Sequence, residues 1–170
     1  MGNNLLELTG VSAEFQRKRI IDTINLAVPK RSRVSIIGTS GCGKSTLLKL
    51  IAGLLRAPAW QVTGQAAIEG KCFNAGDSAT LLTNCGRQYA FIAQDSLSIF
   101  DPRLKIKEHF LEISRLRDGE REEFLLQVMS LLRNLLITDP ERVLENYRNE
   151  LSGGTLQRIS IAMGLIHKPR

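Results

Sequence analysis

The stretch of this chain best suited to chemistry is Gly38-Thr39-Ser40-Gly41-Cys42-Gly43-Lys44-Ser45-Thr46. It matches the pattern G-x-x-x-x-G-K-[ST], in which glycines allow successive backbone N–H groups to turn inward around phosphate oxygens. Lys44 can then reach the β- and γ-phosphates, and the Ser45 hydroxyl can bind Mg²⁺. The stretch therefore predicts a site for a nucleoside triphosphate and its magnesium ion.

A second stretch with free backbone amides is Leu151-Ser152-Gly153-Gly154-Thr155-Leu156-Gln157-Arg158. Ser152 is a favourable N-cap, and the two glycines after it leave N–H groups bare at the start of a helix expected to continue through residues 159–166. A short Ser-Gly-Gly sequence alone is weak evidence for a site. Together with the phosphate loop earlier in the chain, it indicates a second anion site.

The phosphate loop needs a strand before it and a helix after it, and the sequence predicts both. The apolar run at residues 33–37 is expected to form a buried strand, and residues 44–55 are expected to form a helix. Alternating apolar residues at 5–15 and 20–28 predict a β-hairpin at the N-terminus. Pro29 is expected to end its second strand.

Phe15 stands at the end of the first predicted strand, 29 positions before Lys44. An aromatic ring in that place is suited to stacking on a nucleobase. It is equally suited to closing the edge of the hairpin. The sequence leaves both interpretations open.

The middle of the chain is expected to change from strands to helices. Residues 61–69 read as a β segment, residues 71–87 as an irregular surface excursion, and residues 88–94 as a short buried strand with Gln94 at its end. From about residue 104 to 137 the pattern is helical, and it indicates a separate small helical lobe. Its predicted apolar face comprises Phe124, Val128, Leu131, Leu132 and Leu135.

Composition bounds the class of protein. The 170 residues are 43% hydrophobic and 24% charged, which is typical of one globular domain with a real core. No apolar stretch approaches the ~20 residues of a membrane-spanning helix, and no signal peptide is recognised. Cys42, Cys72 and Cys85 contain no C-x-x-C pair and read as reduced thiols. The net charge of +6 is scattered, and its clusters at 17–19 and 30–33 suit solvated turns, so no nucleic-acid partner is predicted.

Three motifs, in this order, resemble those of ABC-transporter ATP-binding subunits: residues 38–46 resemble the Walker A loop, Gln94 the Q-loop glutamine, and residues 151–158 the signature motif. The similarity runs from Phe15, which resembles the base-stacking A-loop aromatic of that family, to Arg170. It implies an α/β fold, with a P-loop NTPase core, an N-terminal antiparallel β subdomain and an inserted helical subdomain. The implied division is 1–98 for the β subdomain and core, 99–150 for the helical subdomain and 151–170 for the signature and its helix.

The resemblance also implies the site residues. Lys44 and Gln94 are expected to be catalytic, and Ser45 and Gln94 to contact Mg²⁺. ATP is expected to be held in one copy by Phe15, Gly38, Thr39, Ser40, Gly41, Cys42, Gly43, Lys44, Ser45 and Thr46, and from a facing copy by Leu151, Ser152, Gly153, Gly154 and Gln157. Two cassettes would thus close head to tail on ATP, and hydrolysis would let them reopen.

Residues 94–102 look like the extended Q-loop of importers for dipeptides, oligopeptides and nickel or other metal chelates. This resemblance implies an energy-coupling subunit bound at the cytoplasmic face of the plasma membrane. Its expected partners are a second ATPase subunit, identical or different, transmembrane permease subunits and an extracytoplasmic solute-binding protein. Two alternatives remain: a soluble ABC ATPase acting on DNA or ribosomes, and a non-catalytic nucleotide-binding fragment.

The family's Walker B strand, with its water-polarising glutamate, is expected after residue 170, so the chain as given is expected to hydrolyse little ATP by itself. Residues 135–141 are an apolar run followed by acidic residues, but Pro140 breaks that run, and it is not taken as a substitute. Asp139 is expected to end a helix. His109 and His167 are expected to be surface or helix-packing residues.

Overall fold

The computed structural model describes residues 3–84, 88–95, 97–114 and 121–169. Clustering of its backbone contacts divides the chain into two compact units, Met1–Cys85 and Gly86–Arg170. The expected division after residues 98 and 150 stays a prediction. Ser96 in the Q-loop stretch, Cys85 and the last predicted position, Arg170, lie outside the described residues.

The first unit contains a four-stranded antiparallel sheet in the order β2-β1-β3-β4. Its strands are β1 (Asn4–Phe15), β2 (Lys18–Pro29), β3 (Trp60–Ile68) and β4 (Lys71–Asn74). β1 and β2 form the predicted hairpin, and the second strand ends at Pro29 as expected. The predicted β segment at 61–69 is also confirmed, within one residue at each end.

The two faces of β1 differ in burial, as its alternating sequence predicts. Leu6 and Leu8 are buried, and so are Val11 and Ala13 further along the strand. The register shifts between the two pairs, so that the alternation restarts one residue out of step. This irregularity keeps the apolar side chains of the whole strand on the core side.

Helix α1 (Lys44–Ile51) follows the phosphate loop and is shorter than the predicted 44–55. Its end is set by Gly53, whose φ of +71° lies in the left-handed region. The N–H of Gly53 donates to the Leu50 carbonyl and the N–H of Leu54 to the Lys49 carbonyl, both at 2.9 Å, which is the bonding of a Schellman motif. The apolar periodicity continues past this motif, and that is why the predicted helix was too long.

The expected surface excursion at residues 71–87 is wrong for most of its length, because β4 and helix α2 (Ser78–Asn84) occupy it; residues 85–87 lie outside the described residues. Asp77 holds the start of α2, accepting the Thr80 N–H at 3.1 Å and the Thr80 hydroxyl at 2.5 Å. These bonds lower the pKa of the Asp77 carboxyl. Asp77, one of the polar residues that suggested an irregular loop, is therefore a capping residue.

The two predicted buried strands, 33–37 and 88–94, are wrong for this structure. Residues 33–37 are irregular, and Ile37 is 92% exposed. Residues 90–93 are also irregular, Ile92 is exposed, and Gln94 lies at an exposed bend. A strand that is buried on both faces needs neighbouring strands for its hydrogen bonds. Within the described residues the named strands all belong to the antiparallel sheet; in the two runs only Tyr89 forms a single β-bridge, so neither run is a strand of that sheet.

The second unit contains the predicted helical region. Its helices are α3 (Ile106–Ser114), α4 (Arg121–Asn134), α5 (Pro140–Glu145) and α6 (Gly153–Leu165). The predicted apolar face of α4 points into the core. That core is formed by Phe100, Ile106, Phe110, Phe124, Val128, Leu132, Ile137, Leu144, Leu156, Ile159, Ala162 and Ile166.

Asp139 begins a helix instead of ending one. It is the N-cap of α5, its carboxylate accepts the Arg142 N–H at 3.1 Å, and Pro140 takes the first helical position. Proline suits that position because its missing N–H would be unpaired there anyway. His109 is a helix-packing residue as expected, buried edge-on against the Phe100 ring at 5.2 Å. Within the described residues, no helix is long and apolar enough to cross a lipid bilayer.

Candidate functional site

The phosphate loop ends at Gly43, the residue that begins helix α1. Gly43 has a φ of +96°, and no side chain caps the helix there. A Cβ at this position would lie 3.0 Å from the carbonyl oxygen of Ile20 on β2, so the loop sits closely against that strand. Since no side chain caps the first N–H groups of α1, they are available to an anion.

Lys44 closes the loop on itself. Its Nζ donates to the carbonyl oxygens of Gly38 at 2.8 Å and Thr39 at 2.6 Å, and it lies 3.7 Å from the Sγ of Cys42. The ammonium therefore already lies inside the turn, where a phosphate would meet it together with the loop amides. A Cβ on Gly38 would come within 2.8 Å of the Cys42 sulfur, so the turn is tight.

Ser45 and Thr46, the two hydroxyl residues that follow Lys44, differ in exposure. Ser45 is exposed and Thr46 is half-buried in the first turn of α1. A cavity of about 230 Å³ lies beside Lys44, between the loop and β2, and apolar side chains such as Ile21 and Leu47 line much of it. Typical small-molecule sites start at roughly 300 Å³, so in this conformation only part of a nucleotide would enter the cavity.

Phe15 contacts a residue that the sequence analysis did not single out. Its ring lies 5.0 Å from that of Trp60, tilted by 43°, and the two residues are partners in the β1–β3 register. The ring thus packs on Trp60 at the end of β1, a strand that is paired with β2 on one side and β3 on the other. Stacking on a nucleobase stays a prediction, with Trp60 as a second ring beside it. A lone tryptophan at the start of a predicted strand was the available signal.

Ser152 caps helix α6, as the sequence predicts. Its Oγ accepts the N–H of Thr155 at 3.2 Å and lies 2.9 Å from the Thr155 hydroxyl. The following residues, Gly153 and Gly154, are exposed. The start of α6 therefore presents backbone amides at the surface of the second unit, flanked by two hydroxyl groups.

The two glycines at the start of α6, Gly153 and Gly154, are not required by the packing of this chain. A Cβ built on Gly153 or on Gly154 meets no other atom within 4 Å, and neither residue has a positive φ. The neighbouring motif residues differ in burial: Leu151 is half-buried against the core, whereas Gln157 is exposed. The missing side chains leave room for something outside this chain to approach the helix backbone.

Gln94 is exposed at a bend and belongs to the second unit, whereas Ser45 belongs to the first. Each supplies a neutral oxygen suited to Mg²⁺, which is commonly held by one or two protein ligands together with phosphates and water. Within the described part of the chain, no group of three or more histidine, cysteine or acidic side chains forms a metal site. The donor chemistry therefore fits a magnesium ion that arrives with its nucleotide.

Comparison with known families identifies the class of protein. The family model described as ABC transporter matches residues 21–170. The chain belongs to the ABC transporter family, and the resemblance inferred from the three motifs is confirmed.

Curated relatives of the chain are named as import proteins. Over 98% of the chain it is 31% identical to the Fe(3+) ions import ATP-binding protein FbpC of Escherichia coli O157:H7, and 30% identical to the oligopeptide transport ATP-binding protein OppD of Lactococcus lactis subsp. cremoris. Over 89% it is 30% identical to the metal-staphylopine import system ATP-binding protein CntD of Staphylococcus aureus. The matches cover 44%, 51% and 56% of those proteins, so the chain spans about half the length of these relatives.

Solved structures support the fold. The dimeric structure of the bacterial ABC transporter cassette MJ0796 matches with a TM-score of 0.79 and 26% identity, over 96% of this chain and 70% of that one. A post-hydrolysis dimer of the same cassette, bound to ADP and Pi, matches with a TM-score of 0.75. The α/β ABC ATPase fold class, incomplete relative to these cassettes, is confirmed.

Proposed function

We propose that this chain is the ATP-binding, energy-coupling part of an ABC importer, in which ATP binding and hydrolysis drive transport of peptides or metal chelates. The observation that carries the proposal is the phosphate loop, where Lys44 lies inside a glycine turn at an uncapped helix start. The names of the relatives support the import function and both classes of solute.

Within one cassette, the loop amides and the Lys44 ammonium would bind the β- and γ-phosphates. Phosphate oxygens would replace the carbonyl oxygens of Gly38 and Thr39 as the acceptors of Lys44. Ser45 would contribute its hydroxyl to the magnesium ion, which neutralises charge on the phosphates. Gln94 would orient the attacking water and contact the same ion.

A second cassette would complete the site from outside. The exposed amides of Gly153 and Gly154 and the hydroxyl of Ser152 would cap the γ-phosphate bound in the partner. The open space at both glycines supports this arrangement, because their missing side chains serve no packing purpose in this chain. The same feature would let one triphosphate hold two cassettes together until hydrolysis separates its phosphates.

The remaining partners follow from the import function. Permease subunits in the membrane and an extracytoplasmic solute-binding protein would select the solute, and the cassette would act at the cytoplasmic face of the plasma membrane. The basic residues of this chain are scattered: Arg17 is exposed in the turn of the hairpin, and Lys18 and Arg19 are exposed at the start of β2. No nucleic-acid partner is proposed.

Nucleotide binding is tested by titrating the protein with a fluorescent ATP analogue and Mg²⁺. We expect Lys44→Ala to weaken binding at least about tenfold, because it removes a charged donor to the phosphates. Lys49→Ala is the matched control: Lys49 is an exposed lysine in the last turn of the same helix, and its loss should leave binding unchanged. Equal binding by Lys44→Ala and the parent protein would contradict the proposal.

The solute class is tested by uptake in cells with and without the gene. Labelled oligopeptides and labelled chelates of nickel and iron are compared in parallel, with Lys44→Ala as the inactive control. Uptake of one class should fall in the deletion strain and return only with the parent gene. Unchanged uptake of both classes would contradict the solute assignment and leave the nucleotide site unaffected.

A further inference from the structure

Arg148 joins two segments that are far apart in sequence. Its Nη1 donates to the carbonyl oxygens of Leu97 and Phe100, each at 2.7 Å, across 51 and 48 residues. Its Nε is buried and, within the described residues, has no hydrogen-bond partner. The guanidinium is therefore enclosed between the two segments, where a charged donor to backbone carbonyls makes a comparatively strong bond.

The first segment starts beside Gln94. The Asp95 carboxylate accepts the N–H of Leu97 at 3.1 Å, and a 3-10 turn, Leu97–Ile99, follows. Phe100, directly after this turn, is 1% exposed and belongs to the core of the second unit. A movement of Gln94 would therefore act on a short segment that is hydrogen-bonded to Arg148 at its first and last residues, Leu97 and Phe100.

The second segment leads into the cap of helix α6. A 3-10 turn, Arg148–Glu150, ends one residue before Leu151 and two before Ser152. The Glu150 carboxylate accepts the N–H of Tyr147 at 2.7 Å, which closes the turn on itself. A displacement of Arg148 would move Ser152 as well, because the hydrogen-bonded turn and only one further residue, Leu151, separate them.

Further contacts hold Lys105 and the start of α3 beside the residues that precede Arg148. Lys105 and Tyr147 form an isolated antiparallel bridge, and the N–H of Ile106 donates to the Asn146 carbonyl at 3.0 Å. Lys105 also pairs with Glu145 at 2.9 Å. These contacts anchor residues 145–147, and Arg148 follows directly after them.

We propose that Arg148 is a positioning residue that transmits movement of the Gln94 loop to Ser152. In this arrangement, the state of the nucleotide sensed at Gln94 sets how the same chain caps the nucleotide of its partner. The proposal rests on the proposed function, since it assigns Gln94 and Ser152 to two nucleotide sites. Coupling of this kind is carried by contiguous bonded contacts, and Arg148 supplies the link that crosses between the segments.

The test is hydrogen exchange of the full-length protein, with and without Mg²⁺ and a non-hydrolysable ATP analogue. In the parent protein, the analogue should change exchange at residues 94–100 and at 150–157. In Arg148→Ala, the change at 94–100 should remain, and the change at 150–157 should shrink by at least roughly tenfold, because the variant loses both charge-assisted hydrogen bonds to the carbonyls of Leu97 and Phe100. Arg148→Lys should restore part of it.

Arg103→Ala is the matched control, since Arg103 lies in the same region but pairs with Asp101 within its own turn. It should behave as the parent protein. The proposal is overturned if Arg148→Ala keeps the full change at 150–157, or if it only raises exchange there independently of nucleotide. If Arg148→Ala does not fold, Arg148→Lys decides, and a response equal to that of the parent overturns the proposal.

Failure of the proposed function has a different signature. The analogue would then not bind the parent protein, and no segment would change before any variant is compared. Binding that alters residues 38–46 but neither of the two segments would leave the nucleotide site intact and overturn the transmission through Arg148.

Discussion

At the scale of single residues, two pairs of glycines differ in whether the packing of the chain has room for a side chain. The positions of Gly153 and Gly154 have room for a side chain in this chain, whereas Gly38 and Gly43 are crowded by the loop and by β2. The second pair is therefore required by the geometry of the loop itself, whereas for the first pair we propose an approach from outside the chain.

Gly154→Ala should separate function from stability. Alanine favours a helix over glycine by up to about 1 kcal/mol, and its Cβ meets no atom within 4 Å, so the melting temperature should stay the same or rise. The methyl group would block the proposed approach to the helix backbone, so nucleotide-dependent pairing of cassettes should fall at least about tenfold. Calorimetry and sedimentation measure the two effects. Reduced stability with normal pairing would contradict this assignment.

Asp101 gives a prediction for pH. Arg103 donates to both carboxylate oxygens, at 3.0 and 2.7 Å, and this contact holds the pKa of Asp101 well below its usual range. A lowered folded-state pKa stabilises the protein above the unfolded-state value of about 4, and this stabilisation is lost as the pH falls through the folded-state pKa.

Asp101→Asn should therefore lower the melting temperature by a constant amount above about pH 5, and by progressively less as the medium becomes more acidic. Thermal melts at a series of pH values measure this difference. A difference that stayed constant down to the lowest accessible pH would show that the charge of Asp101 is not the cause.

At the scale of elements, the sheet contains a close approach between the backbones of β1 and β3 that no sequence pattern predicted. Gly64 on β3 has a φ of +103°, and a Cβ there would lie 2.6 Å from the Gly10 carbonyl oxygen on β1. The register of these strands shifts beside this contact, between Thr9 and Ser12. The glycine allows two strand backbones to come together at an irregular point.

Gly64→Ala should destabilise the protein by at least about 2 kcal/mol in urea unfolding, because the left-handed strain is joined by a clash with backbone atoms. Gly70→Ala is the control: its φ of +80° is also left-handed, but a Cβ there meets no atom within 4 Å. It should cost less, about 1 kcal/mol. Equal costs for the two variants would mean that the approach to Gly10 is unimportant.

Local signals predicted the elements that are stabilised locally. The hairpin, the amphipathic face of α4 and the Ser152 cap follow from periodicity and capping within a few residues. The strands expected at 33–37 and 88–94 were wrong because an apolar run forms a buried strand only when neighbouring strands complete its ladder. Helix α2 was missed because Asp77 and the turn before it look like a loop in sequence.

Some residues of the candidate site were likewise predicted from local sequence motifs, and others were missed. The phosphate loop and the signature stretch were predicted from residue types and spacing suited to phosphate chemistry, and their role in binding stays a prediction. Trp60 beside Phe15, and Arg148 between two segments, were missed because each acts through a contact made only in the folded chain. Pairing across some fifty residues leaves no local pattern in a single sequence.

At the scale of the whole molecule, each of the two compact units contains a helix start that we propose binds an anion. Helix α1 begins at Gly43 in the first unit, and α6 begins after Ser152 in the second. A similar solved cassette is dimeric, which supports the proposal that one start binds the nucleotide of its own cassette and the other that of the partner. The two starts are thus proposed as halves of different composite sites.

The most direct test uses an ATP analogue with a photoreactive group on its γ-phosphate, applied with Mg²⁺ to the protein together with its co-purifying partners. Labelled peptides are then mapped by mass spectrometry, with excess ATP as competitor. We predict two labelled regions in this chain, residues 38–46 and residues 151–157, both lost when ATP is added. Label confined to 38–46, or absent from both regions, would contradict the claim that this chain binds one nucleotide and caps another.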